Sequence, residues 1–160
     1  MANDDVFIDT SALTAIINEA DALHPAAVEL HHQFRATQTR LITSDWVLAE
    51  FLCVVARPLF RARASGIIRL LKASPRVTII KASRGNWDRA FDFFERYSDK
   101  AWSFVDCSSM LICEDRGIRR VFTYEAIFGS SAWKSYFDDS RRKRDLEPKV
   151  VTDAQLANAS

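Results

Sequence analysis

Four short β-rich runs, separated by stretches of helical character, constrain this chain more than any other feature. Val6-Phe7-Ile8, Leu41-Ile42-Thr43, Val77-Thr78-Ile79-Ile80 and Arg120-Val121-Phe122-Thr123-Tyr124 read as strands. Thr10-Ser11 supplies N-cap candidates for a helix from about Ala12 to Ala20, and Pro25 suits the first turn of a second helix ending near Ala36. Ser44 or Asp45 is placed to cap a helix that begins at Trp46 and should end by Pro58. A basic helix from about Phe60 to Lys72 stops before Pro75. Ser83-Arg84-Gly85-Asn86 leads into a helix with Trp87, Phe91 and Phe94 on one face. Ser103 is a cap candidate for a last helix, which Gly117 ends.

Strands that alternate with single or paired helices imply right-handed crossovers and a parallel sheet covered on both faces. The expected fold is α/β: a three-layer α/β/α sandwich around four or five parallel strands. The length suits one domain, placed at residues 1–140. Arg141-Arg142-Lys143-Arg144 then opens a basic and polar tail, 141–160, expected to be disordered. No apolar run approaches the roughly 20 residues needed to span a bilayer. Met1-Ala2-Asn3-Asp4-Asp5 lacks the character of a signal peptide. Cys53, Cys107 and Cys113 lie in apolar segments without zinc spacing, so they read as small core residues in a reducing cytoplasm.

Against this background four acids stand out. Asp9 ends the first strand run, Glu50 is the only charge between Trp46 and Ala56, Asp106 is the only charge between Ala101 and Cys113, and Glu125 follows the last strand run. A carboxylate removed from water without a partner costs several kcal/mol even after relaxation. Gathering such acids around a divalent cation, which takes oxygen ligands, offsets that cost. In parallel sheets the ligand site lies beyond the carboxyl ends of the strands, where Asp9 and Glu125 fall. Helix capping is the alternative for Asp9 and Asp106 taken singly. Glu50, in mid-helix among Trp46, Val47, Leu48 and Phe51, has no capping role.

Charge is distributed unevenly. From Arg57 to Arg89 nine basic residues face one acid, Asp88, although the whole chain carries a net charge of only +1. Arg57, Arg61 and Arg63 follow the helix bearing Glu50 and are candidates for binding a polyanion beside an acidic pocket. A merely solvated helix face is the competing reading.

Several acidic-site chemistries are excluded. Asp9-Thr10-Ser11 lacks the second acid of a haloacid-dehalogenase phosphatase, and the paired acids Asp4-Asp5 precede the strand rather than end it, unlike a response-regulator receiver. There is no P-loop motif. A serine or cysteine hydrolase needs a partnered histidine, and His24, His31 and His32 all fall on one surface-like helix.

The ordered segments Phe-Ile-Asp-Thr-Ser-Ala-Leu, Thr-Ser-Asp-Trp-Val-Leu-Ala-Glu-Phe, Trp-Ser-Phe-Val-Asp-Cys-Ser-Ser-Met and Val-Phe-Thr-Tyr-Glu-Ala-Ile-Phe resemble the PIN domain over roughly residues 5 to 137. More narrowly they resemble the VapC-type toxins of prokaryotic toxin–antitoxin pairs. The resemblance implies a Mg²⁺- or Mn²⁺-dependent endoribonuclease that leaves 5′-phosphate and 3′-hydroxyl ends. Asp9 and Asp106 match the family's direct metal ligands. Glu50 and Glu125 would hold a second ion or orient the attacking water, and Thr10 or Ser11 matches a hydroxyl that supports the metal shell. The fourth motif departs from the family: Glu125 stands where such toxins carry aspartate, extending the carboxylate by about 1.5 Å. The basic-histidine pair that usually follows is absent. Implied partners are an RNA substrate, a cognate antitoxin and a second copy in a homodimer, with Phe93 and Tyr97 as exposed aromatic candidates for an interface or for packing on a neighbouring helix. Two rival functions are an RNA-processing PIN nuclease without antitoxin and a catalytically silent PIN module that binds RNA or protein.

Overall fold

The computed structural model describes residues 4–124 and 149–151. Strands β1 (Val6–Ile8), β2 (Leu41–Ser44), β3 (Val77–Ile80), β4 (Arg120–Phe122) and β5 (Lys149–Val151) form one sheet in the order β3-β2-β1-β4-β5. Every pairing is parallel, as the alternation of strands and helices requires. The helices are α1 (Thr10–Ile17), α2 (His24–Ala36), α3 (Asp45–Val54), α4 (Pro58–Ala73), α5 (Arg84–Arg96) and α6 (Phe104–Arg116).

The strand order explains the layers. From β1 the chain steps to β2 and β3 on one side, then returns to β4 on the other. Right-handed crossovers therefore put α1 to α4 over one face and α5 with α6 over the opposite face. Phe34 of α2 meets Phe122 edge-on at 5.6 Å between ring centroids, and α5 packs along α6. Strands β1 and β2 are buried throughout, which suits their unbroken apolar reading. Phe7, Ile42, Phe51, Met110 and Phe122 are fully buried at the centre. Each contributes roughly 1.5–3 kcal/mol by leaving water.

Four expectations change. The sheet continues into the supposed tail: Lys149-Val150-Val151 pairs alongside β4, so the domain extends beyond residue 140. This run follows Pro148 and has β-branched residues, but its polar surroundings hide it in the sequence. The remainder of the expected tail lies outside the described residues. Helix α1 begins at Thr10, not Ala12, with extended Asp9 at the N-cap and no side-chain cap bond. The hydroxyls of Thr10 and Ser11 are turned to other carboxylates instead. On α5 Phe93 is buried, not exposed, and together with half-buried Tyr97 packs on Trp102, while Trp87, Phe91 and Phe94 face outward. Ala90, Phe93 and Tyr97, spaced i, i+3 and i+7, form the inward stripe. Cys53 is exposed on the last turn of α3, whereas Cys107 and Cys113 are core residues as expected.

Both ends of α6 are defined by local chemistry. Ser103 Oγ accepts from the backbone N–H of Asp106, and the Asp106 carboxylate accepts from that of Ser103, a reciprocal capping box. Gly117 ends the helix in the left-handed region at φ 62° and ψ 30°, and the next N–H, of Ile118, returns to the Cys113 carbonyl at 2.9 Å. A Cβ is disfavoured at that φ. Gly117→Ala should lower unfolding free energy by about 1 kcal/mol, seen as a lower urea midpoint at unchanged slope; an unchanged midpoint would contradict this account of the helix end.

Candidate active site

Strand order reverses between β1 and β4, and such a switch point opens a crevice at the carboxyl ends of parallel strands. Ile8 pairs with Phe122, and Asp9 N–H donates to the Phe122 carbonyl at 3.1 Å. That register sets Asp9 across from Thr123. The hydroxyls of Thr123 and Ser11 each lie 3.1 Å from Asp9 Oδ2 and 3.0 Å from one another. Ser11 Oγ also accepts the Tyr124 backbone N–H at 2.9 Å, which ties α1 to the chain leaving β4.

Asp106 enters the same crevice from the first turn of α6. Its Oδ2 accepts the Ser103 N–H at 2.7 Å, so it serves as a cap and as a site carboxylate together. Asp9 and Asp106 are both buried, and neither makes an ion pair among the described residues. Burial pushes the Asp9 carboxyl up to about 6; hydrogen bonds from Thr10, Thr123 and Ser11 oppose the rise, and the negative charge of Asp106 adds to it. Burial also raises Asp106, against the Ser103 bonds that lower it. The buried thiols nearby respond to the same field. Cys107 is pushed up to about 11 by burial and then by Asp106, and Cys113 rises through burial and then Asp9.

Glu50 is placed differently. The Thr10 hydroxyl donates to Glu50 Oε2, so the residue following Asp9 orients the acid on α3. Among the described residues no three acidic, histidine or cysteine side chains are grouped as for a single ion. Asp9 and Asp106 come together, Glu50 stands behind Thr10, and Glu125 lies outside the described residues. Thr123, treated in the sequence as part of a strand, is the site residue that reading missed. Its signal was register, since the residue after β4 must face the residue after β1.

These features meet a family comparison directly. The family model of the PIN domain matches residues 6–134. The chain belongs to the PIN domain family. The 23S rRNA-specific endonuclease VapC20 of Mycobacterium tuberculosis, from strains CDC 1551 / Oshkosh and ATCC 25618 / H37Rv, is 24% identical over 128 residues, covering 80% of this chain and 95% of the relative. The crystal structure of M. tuberculosis VapC20, described as a sarcin-ricin loop cleaving toxin, superposes with a TM-score of 0.66 at 24% identity over 78% of this chain and 93% of that one. The expected three-layer PIN fold is therefore present.

The donors of this PIN crevice suit a hard divalent cation. Two desolvated carboxylates and two hydroxyls are all oxygen groups, and the mutual repulsion of the acids is what a cation relieves. Mg²⁺ characteristically uses one or two protein carboxylates and leaves its other positions to water and phosphate. A pair of acids fits that habit without a third beside it.

The basic candidates divide. Arg63 pairs with Glu19 at 3.0 Å and donates to the Ile17 carbonyl at 3.4 Å, closing the end of α1. Arg61 Nε donates to the Ala56 carbonyl at 2.9 Å but the residue remains exposed, as does Arg57 at the N-cap of α4. Arg63 thus has partners at the end of α1 that the charge pattern alone did not reveal, and it remains exposed like the other two. No described helix is long and apolar enough to cross a membrane.

The Asp9 shift carries a pH consequence. Its folded value of about 6 exceeds the usual unfolded value near 3.9, so folding favours the protonated form. The associated stability is complete below about pH 4 and disappears as pH rises through 6, on the order of 3 kcal/mol in chelator-treated protein. Asp9→Asn, which cannot ionise, should gain on wild type by that amount between pH 4 and 7.5. A stability difference that stays constant across this window in parallel urea titrations would refute the assignment.

Proposed function

We propose that this chain is the toxin endoribonuclease of a toxin–antitoxin pair, cutting RNA with a divalent cation, Mg²⁺ or Mn²⁺, to leave 5′-phosphate and 3′-hydroxyl ends. The observation that carries this reading is the pairing of buried Asp9 and Asp106 at the switch point of a PIN sheet. Asp9 and Asp106 would hold the cation, which when bound lowers the pKa of water and offsets charge on the phosphate. Ser11 and Thr123 fix the rotamer of Asp9 by hydrogen bonds to Oδ2. The capping box fixes Asp106. Thr10 aims Glu50, whose carboxylate receives a proton from the attacking water or orients it; Glu125 is assigned the same kind of task. Preorganised groups of this kind act without having to rearrange during the reaction.

The relative's name guides the choice of substrate. VapC20 is a 23S rRNA-specific endonuclease, and large-subunit ribosomal RNA is the first substrate we would assign to this chain. A cognate antitoxin, a homodimeric state and a cytoplasmic location belong to the same reading. Phosphate approaching two carboxylates needs compensating charge, for which exposed Arg57 and Arg61 are the candidates.

The deciding experiment is RNA 5′-end sequencing after brief induction of wild type and Asp9→Asn. Asp9→Asn and Asp106→Asn should each reduce cleavage on the order of a hundredfold or more, beyond the 10–100-fold typical of outer-shell partners. Each should also shrink the rise in melting temperature that Mn²⁺ gives wild type. Glu125→Gln should reduce cleavage by at least about tenfold, with Glu125→Asp mild. Metal-stabilised protein that leaves all RNA intact would favour the silent binding module.

Arg57 and Arg61 are tested separately. Replacing both by Glu should weaken RNA binding and flatten its salt dependence, while the thermal response to Mn²⁺ stays as in wild type. An unchanged affinity and salt slope would leave that surface a solvated face.

A further inference from the structure

The carboxyl edge of the sheet carries a second cleft, beyond the ends of β2 and β3. It lies between the beginning of α3 and the β3–α5 connection, has a volume of about 480 Å³, and is lined by Trp46, Ala82, Ser83, Arg84 and Trp87. Its walls are fastened together. Asp45, beside Trp46, accepts the Ala82 N–H at 3.0 Å, and Ser83 caps α5 by accepting the Asn86 N–H at 3.2 Å.

The aromatic rings of this cleft form a continuous series. Trp46 meets the Phe104 ring edge-on at 5.5 Å, Phe104 lies 5.5 Å from Trp87, and Trp87 stacks on Phe91 at 5.2 Å with only 11° between planes. Trp87 and Phe91 remain exposed, 38% each. The series leads into the acid site from two directions. Trp46 is four residues before Glu50, on the same face of α3, and Phe104 opens the first turn of α6, the turn that also carries Asp106. From β1 to β3 is two strand spacings, about 10 Å. The rim carries both signs: Lys81 is exposed, Arg84 binds Asp88 through Nε at 3.0 Å with its side chain otherwise open to solvent, and Asp45 stands at the opposite wall.

We propose that this cleft is a nucleobase-stacking subsite, in which Trp87 and Trp46 hold an unpaired base of the RNA whose neighbouring phosphate lies at Asp9 and Asp106. The inference rests on the endoribonuclease reading above. Flat aromatic faces beside positive charge hold single-stranded bases with little regard to sequence, because every base presents a π-face. Lys81 and Arg84 meet the backbone at the mouth. The subsite selects for an extruded or looped nucleotide, since a base paired inside a duplex cannot reach Trp87.

The test uses fluorescein-labelled uridine and adenosine RNA octamers, binding to full-length protein carrying Asp9→Asn so that the RNA stays intact. Adding Trp87→Ala should weaken binding of both octamers roughly tenfold, whereas Trp87→Phe should keep most of the affinity. Trp46→Phe serves as the milder second variant, and circular dichroism checks that each protein is folded. Octamers with one abasic position should bind the Asp9→Asn protein less well at one register, a loss that vanishes once Trp87→Ala is present. Unchanged octamer binding by Trp87→Ala, in a protein whose Asp9 form cleaves RNA, overturns the subsite and leaves the nuclease reading standing. A change in self-association with RNA binding intact makes this face a protein interface and likewise overturns it. Absence of both cleavage and binding in the wild type removes the nuclease reading, and the subsite with it.

Discussion

Two carboxylates share one dehydrated crevice, and much else in this PIN domain follows from keeping them there. Asp9 and Asp106 are buried, repel each other and have no cationic side chain beside them among the described residues. Water cannot solvate both fully, so the free energy of the crevice is lowered when one of them takes up a proton. Asp9 is the better place for it. Asp9 is the more deeply buried of the two, and its desolvation outweighs the hydrogen bonds from Thr10, Thr123 and Ser11, whereas Asp106 is held as a carboxylate by the Ser103 capping box. In the proposed function, cation and proton would compete for Asp9. The repulsion that burdens folding around these acids is the repulsion that a bound divalent ion would relieve.

The topology makes that crowding possible. Outward steps from β1 to β2 and β3, followed by return to β4, leave a gap between the crossovers at the β1–β4 boundary. Asp9 comes from one strand end, Thr123 from its neighbour and Asp106 from a helix start, with no long loop needed to deliver any of them. The supporting groups are covalent neighbours of the acids or of their strand partners. Thr10 follows Asp9 and reaches Glu50; Ser11 is one residue further and reaches back to Asp9 and across to Tyr124. A run of three residues after β1 thus supplies one carboxylate and positions another, which explains why side chains that look like helix caps in the sequence are not used as caps.

Most of the fold was legible because its signals were local. β-Branched runs gave β1, β2 and β3, and Ser44, Ser83, Ser103 and Gly117 each mark a helix boundary by chemistry that depends on a few neighbouring atoms. The site acids were legible through their apolar surroundings. Information carried by register or by helix rotation was harder to extract. Thr123 becomes a site residue only once Ile8 is known to pair with Phe122. The faces of α5 were ambiguous because aromatic residues occupy both sides, and only packing on Trp102 selects Phe93 as the buried one. Arg63 resembled a free cation until the end of α1 was found beside it. The strand Lys149–Val151 was hidden by the charged stretch before it, although a three-residue parallel strand needs no more than one open sheet edge.

The aromatic side of α5 completes the physical argument. A small domain gains about 25 cal/mol for every Å² of apolar surface removed from water, so leaving Trp87, Phe91 and Phe94 outward forgoes stability that a polar face would not have put at stake. Phe93, one helical step away, shows that the core could receive an aromatic ring from this helix. Two of the outward rings also stack on one another and adjoin Phe104, at the start of the helix that carries Asp106. In the proposed function the acids would act on any phosphate presented to them and carry no information about which one arrives. Discrimination would then fall to groups that touch the flanking nucleotides, the role proposed above for the rings of α3 and α5.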